Sequence, residues 1–327
     1  MNVLLSSQCP GLSLGTQTLA GKYIEFSLLP SGAHLLERIH ACQPEVRQKA
    51  VAIVTMLTDS VREAQLIELK KELPQLKLLA NYAVGYNNVD IHAAASVGIS
   101  VCNTPGVLGD ATADLALTLL LMVARRVFPG ALEIRDTGAF PGWSPNYNLG
   151  LDLAGKTLGI VGYGDIGQRF ATRASALGMR VVALKSSRQA HDALPRLAES
   201  EFLKSIDVLS LHCPLTPETR GWLNAKRISQ LKKNAIVINT SRGDVVDEIA
   251  LAEALQSGHL FGAGLDVFCG EPVLSGVLRS APNLVVLPHL GSATLETRAA
   301  MGGKVLENIT ALVRGDVLLP TQVVIGR

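Results

Sequence analysis

The chain has 327 residues, of which 48 % are hydrophobic, 18 % are charged and 4 % are aromatic. This length accommodates two ordinary domains, and cores made of aliphatic side chains favour an α/β protein with buried parallel strands. The net charge of +2, without long charged runs, argues against nucleic acid or a membrane surface as a partner. The five cysteines form no Cys-x-x-Cys motif, so we expect a reduced, cytoplasmic protein with unpaired thiols.

Apolar, strand-like runs alternate with helix-like segments along almost the whole sequence. The N-terminal MNVLLSSQCPG has no basic region before its short apolar run, so we predict a first strand there and not a signal peptide. Further strands are predicted at 51–56, 76–82, 157–162, 180–184, 207–212, 235–240, 262–267 and 283–289. Helical spacing follows in IGQRFATRASALG and in VDEIALAEALQSG. This alternation predicts βαβ units and parallel sheets.

Two other segments stand out by composition. The most apolar one, LALTLLLMVA at 115–124, is far too short to span a membrane, and we expect a buried helix there. The stretch 136–156 is rich in Gly, Pro and Asn, and by composition it is either a linker between domains or a long surface loop. No His-x-x-x-His motif or Cys/His cluster with ligand spacing occurs, so we expect no metal site.

A glycine-rich motif lies in mid-chain, where GIVGYGDIG places Gly162, Gly164 and Gly167 in the G-x-G-x-x-G spacing. It follows an apolar strand and opens a helix, which is the context that dinucleotide binding requires. The first glycine permits the tight turn, the second lets the backbone approach the pyrophosphate, and the third lets the helix pack on the strand. The helix N-terminus offers N–H groups to the phosphates, so Asp165 and Ile166 are further candidates for cofactor binding.

The end of the next strand indicates which dinucleotide to expect. NAD-binding domains usually place an acid about 20 residues after the motif, where it accepts from the ribose 2′-hydroxyl. Here that place has Lys185, followed by Ser186, Ser187 and Arg188, and no acid occurs before Asp192. The cations attract a 2′-phosphate and the hydroxyls can donate to it, so we predict that NADP(H) is preferred over NAD(H). The alternative is that these are solvated surface charges and that the site does not discriminate.

Three polar residues each follow a predicted strand: Arg242 after AIVINT, Glu271 after GAGLDV and His289 after NLVVLP. Ligands of open α/β sheets bind outside the carboxyl ends of the strands, so we expect these side chains to converge there. An arginine can hold a carboxylate through two parallel hydrogen bonds, and an imidazolium can protonate a carbonyl oxygen as hydride arrives at carbon. A neighbouring carboxylate orients the imidazole and favours its charged form. The three groups together suit the reduction of a 2-keto acid.

The sequence resembles the D-isomer-specific 2-hydroxyacid dehydrogenase family, and within it the glyoxylate/hydroxypyruvate reductase branch. Matching stretches run in order through nearly the whole chain: NYAVGYNNVDIHAA, NTPGVLGDATADLALTLLL, GIVGYGDIGQ, LHCPLTPETRG, INTSRGDVVDE, GLDVFCGEP and PHLGSAT. The resemblance implies an NADP(H)-dependent reductase of glyoxylate or hydroxypyruvate with Arg242, Glu271 and His289 as its catalytic residues. It also implies that the backbone N–H groups of Val84 and Gly85 bind the substrate carboxylate together with Arg242.

The same resemblance implies two Rossmann-like, doubly wound domains with parallel sheets and a cleft between them. The substrate-binding domain would comprise residues 1–101 and 290–327, and the dinucleotide-binding domain residues 102–289. Further candidates for cofactor binding are Thr112, His212, Pro214, Thr219, Thr240, Asp266, His289 and Ser292.

The family's dimer contact falls on the helix 112–126 and the loop 136–150, which implies a homodimer. The resemblance also implies that Trp143 and Tyr147 reach toward the partner's cleft. Three alternative functions stay open at this point. They are reduction of a larger 2-keto acid such as 2-ketogluconate, a dinucleotide-sensing corepressor that binds proteins, and phosphite oxidation.

Overall fold

The protein is described by a computed structural model that covers residues 1–185 and 194–323. Three residues of the predicted 2′-phosphate site, Ser186, Ser187 and Arg188, lie outside the described residues. The chain forms two compact units, each built around one β-sheet.

The first unit comprises Met1–Leu108 and Thr294–Arg327 and contains a six-stranded sheet. Its elements up to residue 108 are β1 (Asn2–Leu5), β2 (Gly15–Leu19), β3 (Lys22–Leu28), α1 (Leu35–His40), α2 (Pro44–Gln48), β4 (Ala50–Thr55), α3 (Glu63–Glu72), β5 (Leu78–Asn81), α4 (Ile91–Ser96) and β6 (Ser100–Cys102). The strand order is β2-β3-β1-β4-β5-β6, and all neighbours pair in parallel except β2 with β3. Apolar clusters cover both faces of the sheet, which is typical of strands that read as continuous apolar runs.

The antiparallel pairing of β2 with β3 differs from the parallel sheets predicted from the sequence. The two strands are joined by a two-residue turn in which Ala20 and Gly21 have φ angles of 48° and 74°. Positive φ at both central residues is the geometry of a type I′ turn, whose twist matches that of a hairpin. Strand β2 alternates half-buried and exposed residues at the edge of the sheet, so it has no continuous apolar run that would reveal it.

The second unit, Gly109–Ala293, contains a seven-stranded sheet in which all neighbouring strands are parallel. Its elements are α5 (Gly109–Ala124), α6 (Val127–Thr137), β7 (Thr157–Val161), α7 (Asp165–Ala176), β8 (Arg180–Leu184), β9 (Arg196–Leu197), α8 (Glu199–Ser205), β10 (Val208–Leu211), α9 (Ala225–Ile228), β11 (Ala235–Asn239), a 3₁₀ helix (Gly243–Val245), α10 (Glu248–Gln256), β12 (Leu260–Leu265), α11 (Gly276–Arg279) and β13 (Leu284–Val286). The strand order is β13-β12-β11-β10-β7-β8-β9. Chain order reverses between β7 and β10, and open α/β sheets bind ligands at such a point.

Helices cover both faces of the second sheet. Helices α5 and α7 pack on one face, and α8 and α10 pack on the other. Helix α5 contains the predicted buried helix and presents eight buried residues, most of them apolar. Among the described residues no single helix is long and apolar enough to cross a membrane, although α5 and α6, bent by 70° at their break, pass on length and composition as a pair. After the second unit the chain returns to the first, where α12 (Leu295–Arg314) packs on the sheet.

The two units divide after Leu108 and after Ala293, several residues later than the predicted domain junctions. Hydrogen bonds explain both differences. The N–H of Thr104 donates to the loop after β5 at 2.9 Å, which keeps this segment with the first unit. The N–H of Leu290 donates to the carboxylate of Asp266 at 2.6 Å, which keeps the residues after His289 with the second unit.

Candidate active site

The glycine-rich motif forms the turn between β7 and α7, at the point where the strand order reverses. Gly162 has a φ of +89°, and a Cβ there would lie 2.4 Å from the backbone nitrogen of Cys213 in the loop after β10. A Cβ at Gly167 would lie 2.5 Å from the carbonyl oxygen of Gly162. At Gly164, by contrast, a Cβ would meet no atom within 4 Å. The middle glycine therefore faces open space beside the first N–H groups of a 12-residue helix, which fits the pyrophosphate of a dinucleotide.

Two predicted cofactor residues begin this helix, and a third follows the neighbouring strand. The carboxylate of Asp165 pairs with Arg169 Nε at 2.8 Å, so the groups that Asp165 and Ile166 offer a phosphate are their backbone N–H groups. Lys185 is exposed and is the first residue after β8, the strand that pairs with β7. Its backbone N–H donates to the carbonyl of Leu197 at 2.9 Å. The side chain of Lys185 therefore leaves the backbone at the carboxyl edge of the sheet, next to β7, the strand that precedes the glycine turn.

His212 follows β10, the strand on the other side of β7, and both of its ring nitrogens have hydroxyl partners. The Nε2 atom lies 2.9 Å from Ser210 Oγ, and the Nδ1 atom lies 3.1 Å from Thr240 Oγ1. The ring also packs on Phe170 of α7. Burial lowers the pKa of His212 to about 4, so the ring is neutral at pH 7 and has one donor and one acceptor nitrogen. His212 and Thr240 thus bind each other at the ends of adjacent strands.

The turn after His212 contains two more of the predicted cofactor residues. The Oγ1 hydroxyl of Thr219 donates to the carbonyl of Pro214 at 2.7 Å and accepts the N–H of Thr216 at 2.7 Å. These bonds close the turn on itself and fix the backbone beside the glycine-rich loop.

Arg242 lies three residues beyond the end of β11, at the start of the 3₁₀ helix. The buried side chain of Asn239 shapes this turn: its Oδ1 atom accepts from the N–H of Ser241 at 2.9 Å and from the Ser241 hydroxyl at 2.7 Å. The Nδ2 atom of Asn239 donates to the carbonyl of Arg242 at 2.9 Å. Burial lowers the pKa of the Arg242 guanidinium and the charge of Glu271 opposes this, so the group remains a cation at neutral pH.

Glu271 and His289 form a hydrogen-bonded pair in which Glu271 Oε2 lies 3.0 Å from His289 Nδ1. The other oxygen of Glu271 accepts the N–H of Phe268 at 3.1 Å. Burial acts to raise the pKa of Glu271, but the bond to His289, the N–H of Phe268 and the charge of Arg242 outweigh it, and the pKa lies below its ordinary value. Because the ionised carboxylate only accepts hydrogen bonds, Nδ1 of His289 is the donor. The proton that His289 can exchange is therefore the one on Nε2.

Asp266, directly after β12, holds the backbone that carries His289. Its carboxylate oxygens accept the N–H groups of Leu290 at 2.6 Å and Gly291 at 2.8 Å, and its carbonyl accepts the N–H of His289 at 2.9 Å. The hydroxyl of Thr112 on α5 donates to the carbonyl of Gly291 at 3.0 Å. Burial raises the pKa of Asp266, and the two N–H groups oppose that rise. These bonds support a left-handed backbone at His289, whose φ is 56°.

Asp266 and Thr112 were both predicted to bind the cofactor, and in this structure their side chains bind the segment after His289 instead of projecting freely. Ser292 continues the same segment. Their direct role in cofactor binding stays a prediction, and the structure adds a second one, which is to hold the backbone after His289.

The predicted carboxylate loop belongs to the first unit, where Val84 and Gly85 follow β5. The carbonyl of Val84 accepts from Asn103 Nδ2 at 2.8 Å, and the carbonyl of Gly85 accepts from Asn81 Nδ2 at 2.9 Å. A trans peptide directs its N–H opposite to its carbonyl, so the N–H of Gly85 points away from Asn103. Two asparagines thus orient the amides of this loop.

One group in the described residues has the spacing of metal ligands. His40 Nε2 lies 4.0 Å from Glu68 Oε1 and 3.7 Å from Glu72 Oε1. The second oxygens of these carboxylates pair with Lys71 and Arg47. Ion pairs therefore account for this cluster, which lies in the first unit.

The residues that support Arg242, Glu271 and His289 were not predicted from the sequence. Asn239 is a polar residue at the end of the apolar run AIVIN, which is the one local signal of its role. Gly243 lies against the segment before Glu271, because a Cβ at Gly243 would stand 2.1 Å from the carbonyl carbon of Phe268. Glu248 also binds this segment. Neither contact leaves a trace in the local sequence pattern.

The model of the D-isomer specific 2-hydroxyacid dehydrogenase NAD binding domain matches residues 117–291. The chain belongs to this family. Its members are nicotinamide-dependent oxidoreductases, which agrees with the glycine turn and with the strand order of the second unit. The chain is 46 % identical over 273 residues to the glyoxylate reductase of Thermococcus litoralis, and the match covers 81 % of each chain.

Solved structures of family members are similar over nearly the whole chain. A glyoxylate reductase from Paecilomyes thermophila is 30 % identical with a TM-score of 0.82, and the match covers 98 % of each chain. An NADPH-dependent glyoxylate/hydroxypyruvate reductase from Sinorhizobium meliloti, in complex with NADP and malonate, is 30 % identical with a TM-score of 0.79. That match covers 98 % of this chain and 96 % of the relative.

Proposed function

We propose that this family member reduces glyoxylate or hydroxypyruvate to glycolate or D-glycerate, with NADPH as the preferred hydride donor. The observation that carries the proposal is the 3.0 Å hydrogen bond between Glu271 and His289, with the charge of Arg242 near Glu271. The glyoxylate reductase relatives support the substrate class. In this proposal the second unit binds the dinucleotide, the first unit binds substrate, and the enzyme works in the cytosol with free thiols.

The reduction requires a hydride at C2 and a proton at the carbonyl oxygen of the keto acid. A bound reduced nicotinamide supplies the hydride. As the carbon–oxygen π bond breaks, its electron pair takes the proton from Nε2 of His289, and the product is the 2-hydroxy acid. Glu271 stays ionised at neutral pH because its pKa is lowered, so it stabilises the protonated imidazole before transfer. Water then returns a proton to His289.

Arg242 is the residue that we assign to the substrate carboxylate. Its guanidinium is largely buried, and a buried cation that keeps its charge attracts an anion more strongly than a solvated one. The planar fork of the guanidinium fixes the carboxylate and thereby orients C2. We propose that the oriented amides of Val84 and Gly85 donate to the same carboxylate.

The preference for NADPH rests on the residues that follow β8. Lys185 is exposed at the carboxyl edge of the sheet, where NAD-binding domains commonly carry an acid. Ser186, Ser187 and Arg188 complete the proposed 2′-phosphate site. The Sinorhizobium meliloti relative that binds NADP supports this assignment for the family branch.

We also propose that the protein is a homodimer that pairs through the helix 112–126 and the loop 136–150, with α6 between them. Helix α6 has no buried residue, although it carries apolar side chains such as Ile134, which is 53 % exposed. Phe140 and Trp143 are 51 % and 87 % exposed. Single chains rarely expose large apolar side chains so close together, and a second copy would cover them. Tyr147 is held by Glu133 within this region.

The decisive experiment measures initial rates with glyoxylate and with hydroxypyruvate, using NADPH and NADH separately. We expect turnover of at least one substrate and a strong preference for NADPH. Lys185→Glu should reduce that preference roughly tenfold to 100-fold, because a charge-assisted hydrogen bond contributes about 1.5–3 kcal/mol. Activity with NADH alone would contradict the assignment of NADPH as the cofactor but would still support the assignment as a reductase.

The proton donor is tested with His289→Ala, with His92→Ala as the matched control because His92 is exposed on α4. We expect His289→Ala to lose turnover by about 10²–10⁴-fold at saturating substrate while NADPH binding persists. Arg242→Ala should lower turnover and, unlike His289→Ala, should also raise KM for the keto acid. A near-normal kcat in His289→Ala would refute the assignment. Faster turnover of 2-ketogluconate would favour the larger keto acid as the substrate. Tight NADPH binding without turnover of any keto acid would favour the dinucleotide-sensing corepressor.

A further inference from the structure

One carboxylate outside the reactive group holds both ends of the segment that carries Glu271. Glu248 is the first residue of α10, and its Oε1 atom accepts the backbone N–H of Cys269 at 2.6 Å. Its Oε2 atom accepts the hydroxyl of Ser275 at 3.2 Å. The two bonded residues lie on either side of Glu271 in the chain. A single half-buried side chain therefore closes the segment 269–275 into a loop.

Other packing on this segment is sparse. Residues 270–273 are all exposed, and the side chain of Val273 is 74 % exposed. Leu274 packs against the core, but residues 270–273 have little apolar packing, and such a surface stretch opens easily unless hydrogen bonds hold it. The carboxylate of Glu271 nevertheless needs a fixed place, because it must stay within hydrogen-bond distance of His289. The bonds from Glu248 therefore add restraint where packing is weak, on both sides of Glu271.

The same carboxylate links the Glu271 segment to the turn that carries Arg242. Glu248 follows Arg242 by six residues through the 3₁₀ helix and the start of α10. Gly243, beside Arg242, lies against the backbone of Phe268, where a Cβ would stand only 2.1 Å from the carbonyl carbon. The N–H groups of Phe268 and Cys269 are taken by Glu271 and Glu248, respectively. Arg242 and Glu271 are thus attached to one another through Glu248.

We propose that Glu248 is a positioning residue of the reductase: it holds the segment 269–275 so that Glu271 stays hydrogen-bonded to His289 and near Arg242. This inference rests on the proposed function of Glu271 and His289. Glu248 touches neither of these side chains, so its effect on the reaction passes through the Glu271 backbone. Its removal should loosen the carboxylate and leave the chemical groups themselves unchanged.

Two substitutions at this position separate geometry from charge. Glu248→Gln keeps an oxygen that accepts from Cys269, and its amide nitrogen can donate to the Ser275 hydroxyl. Glu248→Ala removes both bonds. Glu253→Ala is the matched control, because Glu253 is exposed on the same helix. The assay is the pH profile of kcat/KM for glyoxylate reduction with NADPH, together with the melting temperature of each variant.

We expect Glu248→Ala to lose roughly tenfold to 100-fold in kcat/KM, the size of loss that a 1 Å misplacement causes. The alkaline limb of its pH profile, where kcat/KM falls at high pH, should move to lower pH. The reason is that a displaced Glu271 supports the protonated imidazole less well. Glu248→Gln should restore both quantities, and the control should match wild type. An alkaline limb that does not move in Glu248→Ala, whether or not the rate falls, would overturn the proposal, since a merely structural role changes stability and not the limb.

Two further measurements keep the test decisive. Where Glu248→Ala does not fold, Ser275→Ala removes one of the two bonds, and a smaller shift of the limb in the same direction is expected; no shift overturns the proposal. Where the wild type turns over no keto acid, the proposed function fails. The NMR signal of the Nδ1 proton of His289 in the substrate-free protein then decides about Glu248: faster exchange with water in Glu248→Ala supports positioning, and unchanged exchange refutes it.

Discussion

Replacing Glu271 by glutamine removes the negative charge beside His289 and preserves the shape of the side chain. The amide oxygen can still accept the N–H of Phe268, which Glu271 accepts at 3.1 Å. The pKa of Glu271 lies below its ordinary value, so the native carboxylate is ionised throughout the neutral range. The amide nitrogen then faces the Nδ1 donor of His289, so the substitution removes both the charge and the acceptor that support the proton donor.

The size of the effect follows from distance and exposure. Two unit charges 4 Å apart interact by about 1 kcal/mol in water and by about 4 kcal/mol at an effective dielectric constant of 20. The paired atoms of Glu271 and His289 are 3.0 Å apart, and the side chains are 35 % and 31 % exposed. Because both side chains are about one-third exposed, the value for water applies, and at 3.0 Å it is about 1.4 kcal/mol. An interaction free energy of this size corresponds to a shift of about one pH unit.

The sign of the shift is determined by which form of His289 is active. Reduction needs the protonated imidazole, and the ionised Glu271 favours that form. Without the charge, the protonated form loses this support. The alkaline limb of kcat/KM in Glu271→Gln should therefore move down by about one unit, while Glu253→Gln leaves it in place. A limb that stays or moves to higher pH would refute the assignment of Glu271 as the support of His289.

Three further predictions concern the framework of the site. Gly164→Ala should weaken NADPH binding at least tenfold in a fluorescence titration and leave the melting temperature nearly unchanged, because its Cβ meets no protein atom within 4 Å but enters the space proposed for the pyrophosphate. Equal losses of binding and stability would contradict this use of the turn. Asp266→Asn should lower the free energy of unfolding by about 1–3 kcal/mol, because one of the two N–H groups loses its acceptor and faces an amide donor. Urea denaturation measures it, and an unchanged midpoint would contradict the inferred bonds. The pKa of His212 falls from 6.5 to about 4 in the folded protein, so His212 contributes stability above pH 6.5 that is lost as pH falls toward 4, where only the unfolded state binds the proton at first. His212→Gln should show a weaker fall of the urea midpoint between these pH values, and an identical fall would exclude this role.

The parallel strands that carry the site were readable from the sequence because they are buried on both faces. The run at 180–184 is the strand β8, and the run at 235–240 overlaps β11 over its whole length. The hairpin β2–β3 was not predicted, because half-exposed strands at a sheet edge have weak apolar patterns. The placement of Arg242, Glu271 and His289 was predictable because each follows a strand, and parallel strands bring their carboxyl ends to one edge; their catalytic roles stay predictions.

The residues that hold these side chains were not predictable in the same way. Asn239 and Glu248 act through hydrogen bonds to backbone groups whose positions depend on the folded turns. An acid at the start of a helix has an adequate local explanation, because the positive end of the helix dipole stabilises its negative charge. Glu248 therefore looks ordinary in the sequence, and only the folded chain reveals that it binds a segment more than 20 residues away.

The segments that carry the three proposed catalytic residues are each held by a different polar side chain. Asn239 holds the turn of Arg242, Glu248 holds the segment of Glu271, and Asp266 holds the backbone of His289. Their side-chain oxygens accept the N–H groups of Ser241, Cys269 and Leu290, respectively, and an N–H that loses its acceptor away from water costs about 1–3 kcal/mol. The protein therefore cannot relax the geometry of the site without also losing stability. Substitutions at the supporting positions should lower stability and activity together, whereas substitutions of Glu271 and His289, which are about one-third exposed, should lower activity with little loss of stability.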